Sequence, residues 1–433
     1  MTDAPNPELR RTLGLWALVF YGVGDILGAG IYALVGKVAG VAGPASWAAF
    51  AVALSVAGLT ALTYAELGGR FPRSAGESYF ASQAFGRPAL ALLVGWVVLC
   101  SGVLSLATVS VAFGGYMSGF FPGLSPKVTI VGILLLLAAI NFRGMRESSA
   151  TNIAATMVEL TGLLIVIVAG SLFLERTPDQ SITQTLAASG EIGWTSIARG
   201  AALAFFAFIG FEDMVNVAEE VKEPERNMPR AILVALVVTG LLYLLVVIVS
   251  TSIMGPLELA RSSAPLLAVV RRSTEVIPDR AFTLIALFAV ANTGLLNFIM
   301  GSRLIYGMAR QGLLPAAFGR IHPERRTPHV AIVAVLLVAL TLALSGTLTY
   351  LAGTTSLLLL VVFLTLHVSL IVIKRRDEVR PRTFCAPKLV PVLGALSCVA
   401  LMPFVPRDSI LTAAAVLALG STLVALRTRR SSG

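Results

Sequence analysis

The chain has 433 residues, 56% of them hydrophobic and only 13% charged, with a formal net charge of +10. Its mean hydropathy is +0.86. Soluble domains carry about 25% charged residues, so this composition excludes a soluble fold and predicts an all-α integral membrane protein. Taking roughly 20 apolar residues per crossing, the sequence predicts about twelve spans. They fall at 14–37, 44–68, 88–118, 127–141, 150–174, 196–220, 230–254, 280–310, 329–345, 348–373, 389–405 and 409–426. The longest polar gaps, near 175–195 and 255–279, are loop-sized, so no separate soluble domain fits. A polar tail, 1–13, precedes the first span and another, 427–433, follows the last.

The first apolar run is too long for a signal-peptide core and lacks a clear cleavage site, so it is expected to remain as the first membrane helix. It contains Gly22-Val23-Gly24-Asp25-Ile26-Leu27-Gly28-Ala29-Gly30-Ile31-Tyr32. Glycine costs up to about 1 kcal/mol relative to alanine inside a helix. Four of them around Asp25 therefore predict a weakened or unwound segment. Unwound backbone at membrane depth is tolerated only where protein buries it or where it lines a cavity. Tight packing of small residues against a neighbouring helix is the alternative.

The sixth span carries a second interruption, Phe205-Phe206-Ala207-Phe208-Ile209-Gly210-Phe211-Glu212-Asp213. Two adjacent carboxylates beyond a glycine are a strong signal, because an unpaired charge at a helix centre costs at least about 2.5 kcal/mol. The run Glu219 to Arg230 contains Pro224 and Pro229, which are expected to close this helix and start the next. Interruptions at corresponding places in two halves point to a transporter binding site. Spans one to five (14–174) and six to ten (196–376) would form two inverted repeats making up a core at 14–376. Two further spans, 388–426, would be appended.

The basic residues describe topology. Numbering loops from a cytoplasmic N-terminus places 24 of the 33 Lys and Arg residues, from Arg10 and Arg11 to Arg430, on one side, and nine, including Lys127, Arg176 and Arg271, on the other. This positive-inside pattern puts both termini in the cytoplasm and supports an even number of spans. It makes the net charge a matter of topology and lipid headgroups, with no nucleic-acid partner. Cys100, Cys385 and Cys398 show neither disulfide nor metal spacing.

Several segments together resemble the amino acid–polyamine–organocation (APC) superfamily of secondary transporters, which share the LeuT fold. They are Gly24 to Tyr32, and Ala65-Glu66-Leu67 followed by Phe71 to Tyr79, where the usual Gly-Gly pair reads Ala75-Gly76. Phe206 to Pro229, Ser302 to Arg310 and Leu314-Pro315 complete the set. The resemblance runs from about Leu13 to Leu426. It implies a 5+5 inverted repeat with broken first and sixth helices, a permease of the cell membrane, and no enzymatic activity.

The resemblance also implies a substrate site. An amino acid's carboxylate would meet the backbone N–H groups of Gly28, Ala29 and Gly30, an anion site that needs no arginine. Its ammonium would meet carbonyls near Ile26 and Leu27 and around Phe206, Ala207 and Ile209. Phe206 stands where the family places an aromatic gate; a packing aromatic is the alternative. Glu159, in the middle of the fifth span, stands where many members carry a lysine. A carboxylate there could bind a proton or coordinate Na⁺ alongside first-helix carbonyls and Thr293, which aligns with the ion-site hydroxyl of sodium-coupled relatives. The proton is the slightly favoured ion; a glutamate paired only for structure is the alternative. Asp25 would share the cavity. Glu212 matches an acid beside the sixth-helix break, as a titrating gate or a tie between helices. Glu66, Asp213, Glu219 and Glu220 are expected in gate or cap contacts, and His367 as a packed histidine.

The expected function is amino acid transport by alternating access, proton-coupled or by exchange, with no cofactor beyond a possible H⁺ or Na⁺. An amine or polyamine carrier of the same fold, motivated by Asp25, Glu159 and Glu212, and a Na⁺-coupled symporter are the alternatives. A non-transporting partner subunit has no soluble domain or long tail to support it. A major-facilitator carrier would need a six-plus-six organisation and lacks these motifs.

Overall fold

The computed structural model describes residues 11–73, 76–121, 123–144, 149–177, 180–310, 314–376 and 383–431. The N-terminal tail through Arg10, the Ser74-Ala75 pair, Arg146, Arg380 and Arg382 lie outside them. Among the described residues there is no β-strand; the one isolated bridge joins Leu13 to Val221.

The first span is two helices, α1 (Leu15–Leu27) and α2 (Ala29–Ala42), separated at Gly28. It runs past the expected end at 37. A 3-10 turn, Gly43–Ala45, leads into α3 (Ser46–Arg70). An unexpected short helix, α4 (Gly76–Phe85), lies between spans two and three. Then follow α5 (Pro88–Phe120), α6 (Pro126–Arg143) and α7 (Ser149–Arg176). The polar gaps expected as loops hold three short helices: α8 (Ile182–Ser189) and, after the seventh span, Pro256–Arg261 and Pro265–Ser273.

The sixth span begins as α9 (Trp194–Ala204), tightens to a 3-10 turn at Phe205–Phe208, and resumes as 3-10 helix at Phe211–Glu220. The seventh, α10 (Pro224–Ile253), corrects the expected boundary at 230. Pro224 occupies its first turn, but Pro229 lies inside it rather than at a helix end. Proline has no N–H to give the carbonyl four residues back. That carbonyl belongs to Glu225, and the Thr383 hydroxyl donates to it instead at 2.6 Å.

The chain continues through α11 (Pro256–Arg261), α12 (Pro265–Ser273), α13 (Asp279–Arg310), α14 (His329–Ser345), α15 (Leu348–Arg376), α16 (Leu389–Leu401) and α17 (Arg407–Ser431). Long apolar helices are long enough to cross a membrane, the first of them covering the 56 residues of Leu15–Arg70; α14 and the Leu389–Phe404 stretch are shorter but apolar. The α1–α3 run supplies two crossings, so the elements accommodate the twelve expected spans.

End-to-end contacts fix which ends lie together. Thr12 and Leu13 donate backbone N–H groups to the Glu220 carbonyl at 2.9 and 3.0 Å, and the Lys222 N–H donates to the Leu13 carbonyl at 2.8 Å. The N-terminal strap therefore ties the start of the first span to the end of the sixth. At the same end Glu66 on α3 is wholly buried between Arg70 (2.5 Å) and Lys374 (2.7 Å) and accepts the Ala386 N–H at 2.8 Å. At the opposite end Lys37 donates to the Ala260 carbonyl at 3.2 Å. In the interior α1 packs against α7 and α10, α2 against α9, and α13 against α5.

Candidate substrate and ion site

The two interruptions lie against each other. A Cβ on Gly30, in the first turn of α2, would come within 2.5 Å of the Ala207 Cα. Only glycine permits that approach of one backbone to the other. The reciprocal contact involves Gly210, whose φ of +132° is a conformation that favours glycine. A Cβ there would lie 2.8 Å from both the carbonyl carbon and the carbonyl oxygen of Asp25. Each break thus seats a glycine on the backbone of the other. Helix packing through small residues, the alternative for the glycine-rich stretch, is present too: Gly22 faces Met214 and Gly24 faces Thr156. It accompanies the break and does not replace it.

Helix geometry leaves the last carbonyls of α1 and the first N–H groups of α2 without helical partners. Some of these expected substrate contacts already have internal ones. The Ala29 N–H donates to Thr293 Oγ1 at 3.0 Å, and the Thr293 hydroxyl donates to the Ala289 carbonyl at 3.2 Å. The Ile26 carbonyl accepts the Tyr243 hydroxyl at 2.5 Å. The Phe206 carbonyl accepts the Ile209 N–H at 3.3 Å. Leu27, Gly28 and Gly30 are buried at the same junction. Phe206 is almost wholly buried, and Ala207 packs on Gly30.

Aromatic rings brace the sixth-span break from both sides. Phe208, before it, packs at 6.1 Å on Phe50 and 5.4 Å on Tyr243. Phe211, after it, packs edge-on at 5.5 Å against Tyr64 and lies 5.6 Å from Phe363. Such pairs contribute about 0.5–1.5 kcal/mol each beyond their burial. Tyr243 serves both interruptions, with its hydroxyl on Ile26 and its ring on Phe208. A lone tyrosine in the run Leu241 to Val247 gives little warning of this; its polar atom in an apolar span is the one available signal.

Glu159 on α7 is fully buried. Its Oε1 accepts Asn292 Nδ2 at 3.0 Å, and its backbone carbonyl accepts the Tyr32 hydroxyl at 3.0 Å. Its Oε2 is buried with no hydrogen-bond partner among the described residues. Asn292 is the immediate neighbour of Thr293, so Glu159 and Thr293 meet the same stretch of α13. Asn292 lies in none of the motifs, and Tyr32, which closes the Gly24 to Tyr32 segment, is not among the expected site residues. About one turn earlier on α7, Thr156 donates to the Phe20 carbonyl at 3.1 Å. The fifth span thus contacts both halves of the first.

The remaining acids make other contacts. Glu212 Oε2 accepts the Gly210 N–H at 2.8 Å, a contact inside its own break that joins no second helix. Asp213 accepts Asn216 Nδ2 at 3.2 Å. Asp25 is buried where its backbone meets Gly210. Glu77, on the short helix α4, accepts the Tyr64 hydroxyl at 3.0 Å, and burial pushes its carboxyl up to about 6. His367 is packed as expected, with Thr60 at 3.2 Å and Thr63 at 2.9 Å on its two ring nitrogens. No group of three or more His, Cys, Asp or Glu placed to hold a metal occurs among the described residues.

Comparisons with known proteins agree with this architecture. The family model for amino acid permeases matches residues 13–424. The branched-chain amino acid permease BcaP of Bacillus subtilis is 26% identical, over 91% of this chain and 88% of its own. The methylthioribose transporter of the same organism is 28% identical, over 99% of this chain and 96% of its own. Cationic amino acid transporter 4 of Mus musculus is 32% identical, over 87% of this chain and 62% of its own. The interlocked breaks and a match over nearly the whole length lead to one conclusion: the chain belongs to the amino acid permease family of the APC superfamily and is a multi-pass membrane transporter, not an enzyme.

Proposed function

We propose that the protein is a secondary active permease that carries amino acids across the cytoplasmic membrane by alternating access at the crossing of its two broken spans. The observation that carries this reading is the reciprocal seating of Gly30 on Ala207 and Gly210 on Asp25. It joins two sets of unwound backbone at membrane depth, with N–H groups on one side and carbonyls on the other, matched to the two ends of an amino acid zwitterion. The hydrogen bonds that Thr293 and Tyr243 make to this backbone would hold it open for substrate between cycles. In this reading residues 14–174 and 196–376 are the inverted repeats and both termini are cytoplasmic.

Coupling is assigned to Glu159. A buried carboxyl oxygen without a donor calls for a proton or a metal cation to complete it. With Asn292 on one oxygen, Glu159 can take H⁺ on the other; a Na⁺ shared with Thr293 is the variant reading. Symport and exchange both fit this arrangement.

A second reading is favoured by the same buried carboxyl oxygen of Glu159. Here an amine or polyamine would be the substrate, drawn by Asp25, Glu159 and Glu212. Protein reconstituted in liposomes should take up a labelled amino acid, and competition by alanine against putrescine separates the two readings. No uptake of any amino acid, amine or polyamine, with or without proton and sodium gradients, would overturn both.

A further inference from the structure

Outside the crossing, one cleft joins charge and apolar surface in a way the transport reading does not use. It has a volume of about 670 Å³ and lies between the N-terminal strap, the first turns of α10 and the segment before α16. Its charged lining comes from separate parts of the chain. Arg11 stands beside the strap residues Thr12 and Leu13, whose N–H groups are fixed on the Glu220 carbonyl. Arg226 and Arg230 are one turn apart on α10. Two carboxylates, Glu223 and Glu225, share the lining, so the guanidinium groups exceed the acids by one. Arg226 and Glu223 are 3.8 Å apart with both side chains mostly exposed, a pair too weakly held to withdraw that guanidinium from a ligand.

The rest of the lining is apolar. Pro229, Leu233 and Phe384 continue the cleft, with Leu233 lying one turn of α10 deeper than Pro229. A free inorganic anion would have no use for that surface. A molecule with an anionic head and hydrocarbon behind it uses both parts. The location suits such a molecule, because the cleft opens at the end of the bundle where the arginine excess is concentrated. Basic side chains there meet the negative surface of an anionic leaflet.

We propose that this cleft binds one anionic phospholipid, its phosphate among Arg11, Arg226 and Arg230 and the start of an acyl chain along Leu233 and Phe384. A headgroup so placed would fasten the N-terminal strap to the start of the seventh span, and through the strap's bridge to Lys222 it would brace the ends of both broken spans.

The test uses the full-length protein purified in detergent and titrated with phosphatidylglycerol, phosphatidylcholine or inorganic phosphate, with bound lipid counted by native mass spectrometry. One phosphatidylglycerol is expected to bind at least tenfold more tightly than phosphatidylcholine and to persist in millimolar phosphate. The Arg11→Gln/Arg230→Gln variant is expected to lose most of that preference, at about fivefold per arginine. Equal binding of the two lipids by the wild type, or displacement by phosphate alone, would overturn the proposal without any variant. So would a folded double variant that keeps the full preference. Leu233→Trp, which fills the apolar part and leaves the charges, should weaken phosphatidylglycerol while sparing any bound phosphate.

Discussion

Two glutamates with no solvent exposure mark two different regions of this molecule. Glu66, at the arginine-rich end, has every oxygen engaged: Arg70 and Ala386 N–H are on separate oxygens, and Lys374 adds a second cation. Glu159, beside the helix breaks, has Asn292 on one oxygen and, among the described residues, no hydrogen-bond partner on the other. A carboxylate surrounded by cations and donors is finished and holds three parts of the chain together, namely α3, α15 and the segment before α16. A carboxyl with an open oxygen is unfinished until something arrives. Burial by itself therefore separates nothing; the count of partners distinguishes a fastening from the coupling position proposed for Glu159.

The largest expected effect falls on the fastening. Glu66→Gln leaves Arg70 and Lys374 buried beside a neutral amide, and breaking a buried ion pair from one side costs about 3–5 kcal/mol. Thermal unfolding in detergent should show a fall in Tm of many degrees, while the protein that remains folded transports at its usual rate. A variant with normal Tm would mean that Glu66 is not the latch described.

At the crossing, Gly210→Ala forces a side chain onto a φ of +132° and against the Asp25 carbonyl. Strain of about 1–3 kcal/mol is expected, read as an uptake loss of at least tenfold in protein that still elutes as a folded monodisperse species. Unchanged uptake would show that the two breaks do not need their close seating.

A third acid, Glu77, lies between these extremes: buried, with the Tyr64 hydroxyl as its one side-chain partner among the described residues. Because its carboxyl titrates near 6 in the folded protein and near 4.5 when unfolded, the folded state holds the proton more tightly. Stability should fall as pH rises from 4.5 through 6 and level off above, by about 2 kcal/mol in all. The Tm difference between wild type and Glu77→Gln, followed from pH 4.5 to 7.5, should grow over that window and then stay constant. A difference independent of pH would exclude titration of Glu77 there.

The smallest effect is expected from Tyr243→Phe. It removes the hydroxyl from the Ile26 carbonyl but keeps the ring on Phe208, so stability should change by about 1 kcal/mol. Apparent substrate affinity, measured from uptake at varied concentration, should move by no more than about tenfold. A complete loss of transport would make Tyr243 a direct substrate ligand.

Both breaks were legible in the sequence because interruption of a membrane helix leaves a compositional trace: glycines around Asp25 in one case, Gly210 with two acids in the other. Glu159 was legible as a charge in an apolar span. Its partners were less so. Asn292 and Tyr243 look like ordinary polar residues along α13 and α10, and their importance comes from which helices face them, which is a long-range property. The short helices α4, α8, α11 and α12 escaped because polar stretches of under about a dozen residues carry little periodicity. Pro229 misled for a long-range reason as well: its missing hydrogen bond is made good by Thr383, about 150 residues away in the chain.

The contrast between the two glutamates comes down to uptake by Glu159→Gln. Labelled amino acid is followed into liposomes under an imposed proton gradient, an imposed sodium gradient, and neither, for the wild type and the variant. The wild type should be accelerated by one gradient, the proton gradient in the favoured case, and Glu159→Gln should transport at a similar rate in all three conditions. A variant that keeps the gradient dependence of the wild type would show that the open oxygen of Glu159 is not where the driving ion binds.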